Sequence, residues 1–299
     1  MTCVRSAWLV LGGKTVYLED PTQGYFCSNL DLGYPEVREV VSNRPDQDGI
    51  DDRTRYFGAR PVTADVTALR GAGAQIDRIF GLFAPFMSPA SRPVLHYVLD
   101  RPGAPERTIT LRAAGFSAPI SGADQRDIHM QWVAADPVIR ASTSTSATAW
   151  VPGAFTGEGR VYPLVFNRAY PAGTPGPTTA VISSPGDVAV QPVLRVYGPI
   201  TGAAVTIDTT GAGNPTPHVY VVRFVPGYVI AGGHYVDVDT ARKTAVLDGA
   251  TSVINQIDWL NTTWPSVPVL PYSGLMSLQG TFTALNTQVV ATWTDGYLS

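Results

Sequence analysis

The sequence predicts a mainly β protein in two parts, an N-terminal β domain carrying one helix and a C-terminal antiparallel β-sandwich. Three observations lead there. Glycine (29) and proline (25) are abundant across 299 residues, which favours many turns and short elements over long helices. Hydrophobic residues make up 44% of the chain and charged residues only 15%, which supplies a core and excludes a wholly disordered chain. The charge is also unevenly placed. Residues 1–140 hold 31 charged side chains and residues 141–299 only 14, so the character of the chain changes near its middle. The small polar run 141–148 (ASTSTSAT) reads as a linker, and a second loose stretch follows at 170–177 (YPAGTPGP). The expected division is a first domain at 1–140, a Pro/Gly/Ser-rich connection at 141–185 and the sandwich at 186–299.

In the first part, residues 14–19 and 25–32 read as short strands. Residues 60–69 alternate β-branched and small residues as a longer one. Ile76, Ile79, Phe80, Phe83 and Phe86 recur at helical spacing, and Pro85 should stop that helix near Ala84. Strands follow at 94–99, 107–113 and 128–134, the first two joined by the hairpin loop 100–105 (DRPGAP). The second part is nearly all strand in pattern, at 188–197, 203–208, 218–224, 234–238, 244–247, 275–282 and 288–293. Turn signals lie at 239–243 and at Asp248-Gly249. Short strands at regular spacing argue for an antiparallel sandwich.

Composition also narrows the chemistry. A net charge of −3 offers no basic excess for nucleic acid, and no apolar run approaches the ~18 residues of a membrane span. The apolar stretch Ala7–Leu11 is too short for a secretory signal, so synthesis in a cytoplasm is expected. Cys3 and Cys27 are too few for a zinc site or a disulfide scaffold and read as buried thiols. The acidic cluster Asp46, Asp48, Asp51 and Asp52 fails the EF-hand spacing and has Arg44, Arg53 and Arg55 beside it, so a solvated loop or an ion-paired subunit contact is expected, not a metal site. Asp237 and Asp239 share one side of a strand, which reads as a strand end running into a turn more readily than as a glycosidase pair. His96, His129, His218 and His234 show no ligand spacing. No nucleophile elbow, P-loop or dinucleotide fingerprint is present. No catalytic residue, metal or cofactor is expected. Trp259 and Trp264, in a turn-rich segment, are the candidates for a glycan contact.

Several segments together resemble the distal tail proteins (Dit) of long non-contractile-tailed phages. They are Asp48-Gly49-Ile50-Asp51, residues 56–63 (YFGARPVT), residues 130–137 (MQWVAADP), residues 191–199 (QPVLRVYGP), the hairpin at 231–248 and the closing Trp293-Thr294-Asp295-Gly296-Tyr297. The resemblance implies a ring-forming N-terminal β domain, a homo-hexamer, and a galectin-like C-terminal β-sandwich. It implies a non-enzymatic virion protein at the tail tip, joining the tail tube protein to the tail-tip hub and tape-measure proteins, with DNA only passing through the ring. Arg44, Asp48, Asp51, Asp52, Arg53, Arg55 and Arg60 would then contribute subunit or tube contacts. The alternative is a carbohydrate-binding adhesion module for host cell-surface glycans. The His-x-Asn-Pro-Arg signature of true galectins is absent, since Asn214-Pro215 is followed by Thr216.

Overall fold

The computed structural model describes residues 4–43, 50–69, 76–118, 125–151, 155–156, 174–175, 178–211, 214, 217–282 and 287–298. The chain forms two compact units, Met1–Thr143 with Tyr297–Ser299, and Ser144–Gly296.

The strands of the first unit are β1 (Val4–Leu11), β2 (Lys14–Tyr17), β3 (Tyr25–Asp31), β4 (Val37–Asn43), β5 (Ile50–Phe57), β6 (Arg60–Leu69), β7 (Val94–Leu99), β8 (Arg107–Thr110), β9 (Arg112–Ser117) and β10 (Gln125–Ala134). Strand β11 (Ile139–Trp150) begins in this unit. The order β2-β1-β7-β8 makes one antiparallel sheet, with Arg140 and Ala141 of β11 paired to β8. A second sheet runs β3-β6-β10-β9, and among the described residues β4 and β5 pair with each other alone. Alternation builds the core. Val62, Ala64, Val66 and Ala68 of β6 and Ile128, Met130 and Trp132 of β10 point inward, toward Leu9, Leu95, Tyr97 and Ile109 of the first sheet. The helix α1 (Ile76–Phe83) lies where the spacing predicts and gives way to a 3-10 turn, Ala84–Met87, at Pro85. Its Ile79 and Phe83 are buried, and Phe83 meets Tyr25 edge to face at 5.7 Å.

The second unit adds β12 (Phe155–Thr156), β13 (Thr174–Pro175), β14 (Thr179–Ile182), β15 (Val193–Tyr197), β16 (Ile200–Asp208), β17 (Val219–Arg223), β18 (Val229–Ile230), β19 (Tyr235–Asp239), β20 (Thr244–Leu247), β21 (Thr251–Ser252), β22 (Gly274–Phe282) and β23 (Gln288–Tyr297). One sheet runs β23-β15-β19-β20-β21 and the other β14-β22-β16-β17, with β18 on β16. Leu194, Val196, Val236, Val238, Val289, Ala291 and Trp293 from the first share a core with Ile182, Val205, Ile207, Val222, Met276 and Leu278 from the second. Two apolar sheet faces packed on each other make an antiparallel sandwich.

Three expectations need correction. The run 141–148 is strand β11, with Ala141 and Ala149 buried. Alternating threonines and serines suit an extended half-exposed strand as well as a linker. The expected connection 141–185 also contains β14, which pairs with β22, while most of the rest of that stretch lies outside the described residues. Finally, residues 107–113 do not form one strand. Buried Leu111 separates β8 from β9, which belong to different sheets.

Candidate interaction surfaces

The charged segment expected to make contacts is divided. Arg44 and Asp48 lie outside the described residues. Asp51, Asp52, Arg53 and Arg55 fall on β5, with Asp52 opposite Val41 and Arg55 opposite Glu39 in the β4–β5 hairpin. This hairpin is a sheet of two strands, and such a pair is marginal in water unless something packs on it. At its base, Tyr34 and Phe57 are 60% and 42% exposed and meet edge to face at 6.4 Å, with exposed Val37 opposite Phe57 in the ladder. This apolar cluster was not singled out in the sequence. The signal was there, because the aromatics in Tyr34-Pro35 and Tyr56-Phe57 bracket the charged segment.

Arg60 is a correction. It was expected at a subunit contact, yet it is 0% exposed. Its Nε donates to Pro137 O at 2.8 Å, Nη1 to Leu32 O (3.2 Å) and Gly33 O (2.8 Å), and Nη2 to Leu298 O (2.9 Å). Burial pulls its pKa below the ordinary guanidinium value. A fork of five donors suits this site, where carbonyls of three chain segments converge. Gly33 has φ +53°, and a Cβ there would sit 2.4 Å from Pro61 O, so the turn that presents its carbonyl requires glycine.

The other polar candidates are occupied locally. Arg195 holds Asp237 in a bidentate pair at 2.7 and 2.9 Å across β15 and β19. Asp239 accepts from the amides of Ala241 and Arg242 and so caps the β19–β20 turn. The paired aspartates therefore have separate structural uses. His96 bonds Glu106, His129 bonds Asp65, and His234 bonds Asp248, all at 2.6–2.7 Å. The His234 bond holds the Asp248 carboxyl below its usual range. His218 lies beside the Tyr220 ring at 5.5 Å. Among the described residues, no three His, Cys, Asp or Glu side chains gather as a metal site. No helix there is long and apolar enough to cross a membrane.

Cys27 is half-buried, its thiol donates to Asn29 O at 3.2 Å, and burial pushes its pKa up to about 11. At pH 8 we expect Cys27 to alkylate roughly a hundredfold more slowly than a free cysteine, because the thiolate is the nucleophile. Peptide mapping by mass spectrometry checks this, and labelling at the free-thiol rate would contradict it. Cys3 lies outside the described residues.

In the second unit, Trp259 is 50% exposed and Leu260 is 96% exposed. Trp264 is half-buried against the sandwich core, with its ring 5.4 Å from that of Trp259 at 56°. The loop is held in place by neighbouring bonds. Asp258 accepts from Asn261 Nδ2 at 2.7 Å, while the Thr262 and Thr263 hydroxyls accept from the Arg223 and Val221 amides along β17. Leu260 is therefore presented by a braced turn.

A scan against protein-family models finds no match, and a search of curated proteins finds none. Among solved structures, the chain is similar to the SPP1 Dit protein, whose crystal structure is described as a paradigm of the hub adsorption apparatus in phages infecting Gram-positive bacteria. The TM-score is 0.62 at 11% identity, over 97% of this chain and 98% of that one. The chain has the Dit fold. Two structures of the phage P2 baseplate in its activated conformation, one with calcium and one with strontium, align over 96% of this chain and 97% of theirs. Their identities are 10% and 11%, and their TM-scores of 0.40 and 0.38 add nothing to the assignment. At such identities the Dit likeness is one of backbone path. The surfaces described above are this chain's own.

Proposed function

We propose that this chain is a structural virion protein, a ring-forming adaptor between the tail tube and the tail-tip complex of a long non-contractile-tailed phage. The observation that carries the reading is the Dit fold over nearly the whole chain. The exposed aromatic base of the β4–β5 hairpin supports it, because a two-stranded ribbon with apolar residues at its root gains stability by packing on a neighbour. In this reading Arg44, Asp48, Asp51, Asp52, Arg53 and Arg55 contribute subunit or tube contacts and set register more than they add affinity, as exposed ion pairs contribute ~0–1 kcal/mol each. The galectin-like character of the sandwich rests on the sequence resemblance.

Native mass spectrometry and electron microscopy test the ring. The intact chain is expected as a hexamer at assembly concentrations. The double variant Tyr34→Asp, Phe57→Asp is expected as a monomer with its unfolding midpoint almost unchanged, since exposed substitutions usually cost about 0.5 kcal/mol or less. A strict monomer in the unsubstituted protein, with tail partners present, would overturn the reading.

A second reading, glycan binding by the second unit, is favoured by the exposed Trp259 ring. Trp259→Ala is the informative variant in a glycan array, because Trp264 also packs on the core and its loss would mix binding with stability. An array without hits removes this reading.

A further inference from the structure

The first unit is not completed by the first part of the chain. After the whole second unit, the chain returns Tyr297 to the first unit's core, where it is buried. The Arg107 guanidinium, itself buried, lies 3.8 Å over the Tyr297 ring. One residue on, the Leu298 carbonyl takes the Nη2 donor of Arg60 across a separation of 238 residues. Two buried arginines of the first unit thus find part of their surroundings in residues that follow the second unit.

We propose that docking of Tyr297 and Leu298 is a completion device, so that the first unit gains its full stability only after the second has been made and the segment that follows it has returned. Burying a guanidinium is unfavourable unless its donors are met, and Arg60 without Leu298 is one carbonyl short. Removing Tyr297 strips a face from Arg107 and opens the core beside it. Closing so long a loop adds little entropy cost beyond that of a shorter one, because the cost grows only logarithmically with length. A chain interrupted anywhere in the second unit would therefore carry a first unit that opens readily, whatever that unit assembles with. The inference stands independently of the ring reading.

Hydrogen exchange by mass spectrometry on the intact chain, on a chain ending at Gly296, and on Tyr297→Ala and Tyr297→Leu full-length variants tests it. In the shortened chain and in Tyr297→Ala, amides of β1, β6, β7 and β10 are expected to exchange at least about a hundredfold faster, with those of β16 and β22 unchanged. Tyr297→Leu keeps apolar volume but loses the aromatic face, and should accelerate the same amides about tenfold. It also remains informative if the shortened chain does not stay soluble. First-unit protection within twofold of the intact protein in the shortened chain or in Tyr297→Ala would overturn the proposal. Equal loss in both units would overturn it too, because the return would then not be specific to the first.

Discussion

Arg60→Ala is expected to destabilise the first unit by about 3–5 kcal/mol. The side chain is fully buried and donates to four main-chain carbonyls, those of Leu32 and Gly33 after β3, Pro137 between β10 and β11, and Leu298 after β23. Hydrogen bonds from a charged donor are worth ~1.5–3 kcal/mol each, so their simple sum would be larger. Two effects reduce it: the variant no longer buries a charge, and water can enter the space to meet some of the carbonyls. Arg60→Lys is expected to fall between alanine and the native residue, because a point charge on a flexible stem cannot span carbonyls arranged for a planar fork. Urea unfolding followed through first-unit tryptophans, with Trp132 buried in the same core, measures the change. A loss below about 1 kcal/mol would mean that water replaces the guanidinium almost fully.

The same residue shows how far the sequence can be read. The family resemblance groups Arg60 with the charged residues of a subunit or tube contact, and arginine is seldom fully buried. Yet it has the parity of Val62, Ala64, Val66 and Ala68, all of which face the core. Strand periodicity therefore places Arg60 inward, against the contact that the resemblance implies. Asp295 repeats the lesson, since it shares the buried register of Val289, Ala291 and Trp293 and meets Ser184 at 2.8 Å. Asp237 has the opposite parity to buried Val236 and Val238, and it is half-exposed with Arg195. Strands with strong alternation, such as β6 and β7, are legible to the residue, and the helix stopped by Pro85 to within one residue. Strands rich in charge or in serine and threonine are not. Strand β5 looked like a solvated loop and β11 like a linker, because their pairing partners and not their own residues fix them as strands. The hairpin-base surface was missed for a related reason. Tyr34 and Phe57 are separated by the hairpin they flank, and only strand pairing brings their rings together.

Gly186→Ala is the second large effect, and it falls on the sandwich. A Cβ at position 186 would lie 2.1 Å from Gly296 O and 2.9 Å from Gly296 N. Both atoms belong to backbone, so no side chain can rotate away. The surroundings leave little room for the turn to shift as a body. Asp187 N donates to Gly296 O at 2.8 Å, Gly186 N donates to Ser184 Oγ at 3.2 Å, and the same Ser184 hydroxyl donates to buried Asp295. Moving Gly186 away from Gly296 stretches the first bond, and moving β23 instead strains the Ser184–Asp295 contact. That would leave a buried carboxylate short of its donor, a cost of ~1–3 kcal/mol by itself. Alanine here is therefore expected to cost about 3 kcal/mol, at the upper end for overpacking, and to lower the thermal midpoint of the second unit while sparing the first. Asp295→Ala should be costly for the same unit, and less than additive with Gly186→Ala, since both act on one bonded turn. A thermal melt read through Trp293 fluorescence, with hydrogen exchange in β6 and β10 as the control, measures both variants. If Gly186→Ala melts within about one degree of the native protein, the turn moves freely and the Ser184–Asp295 bond does not fix β23.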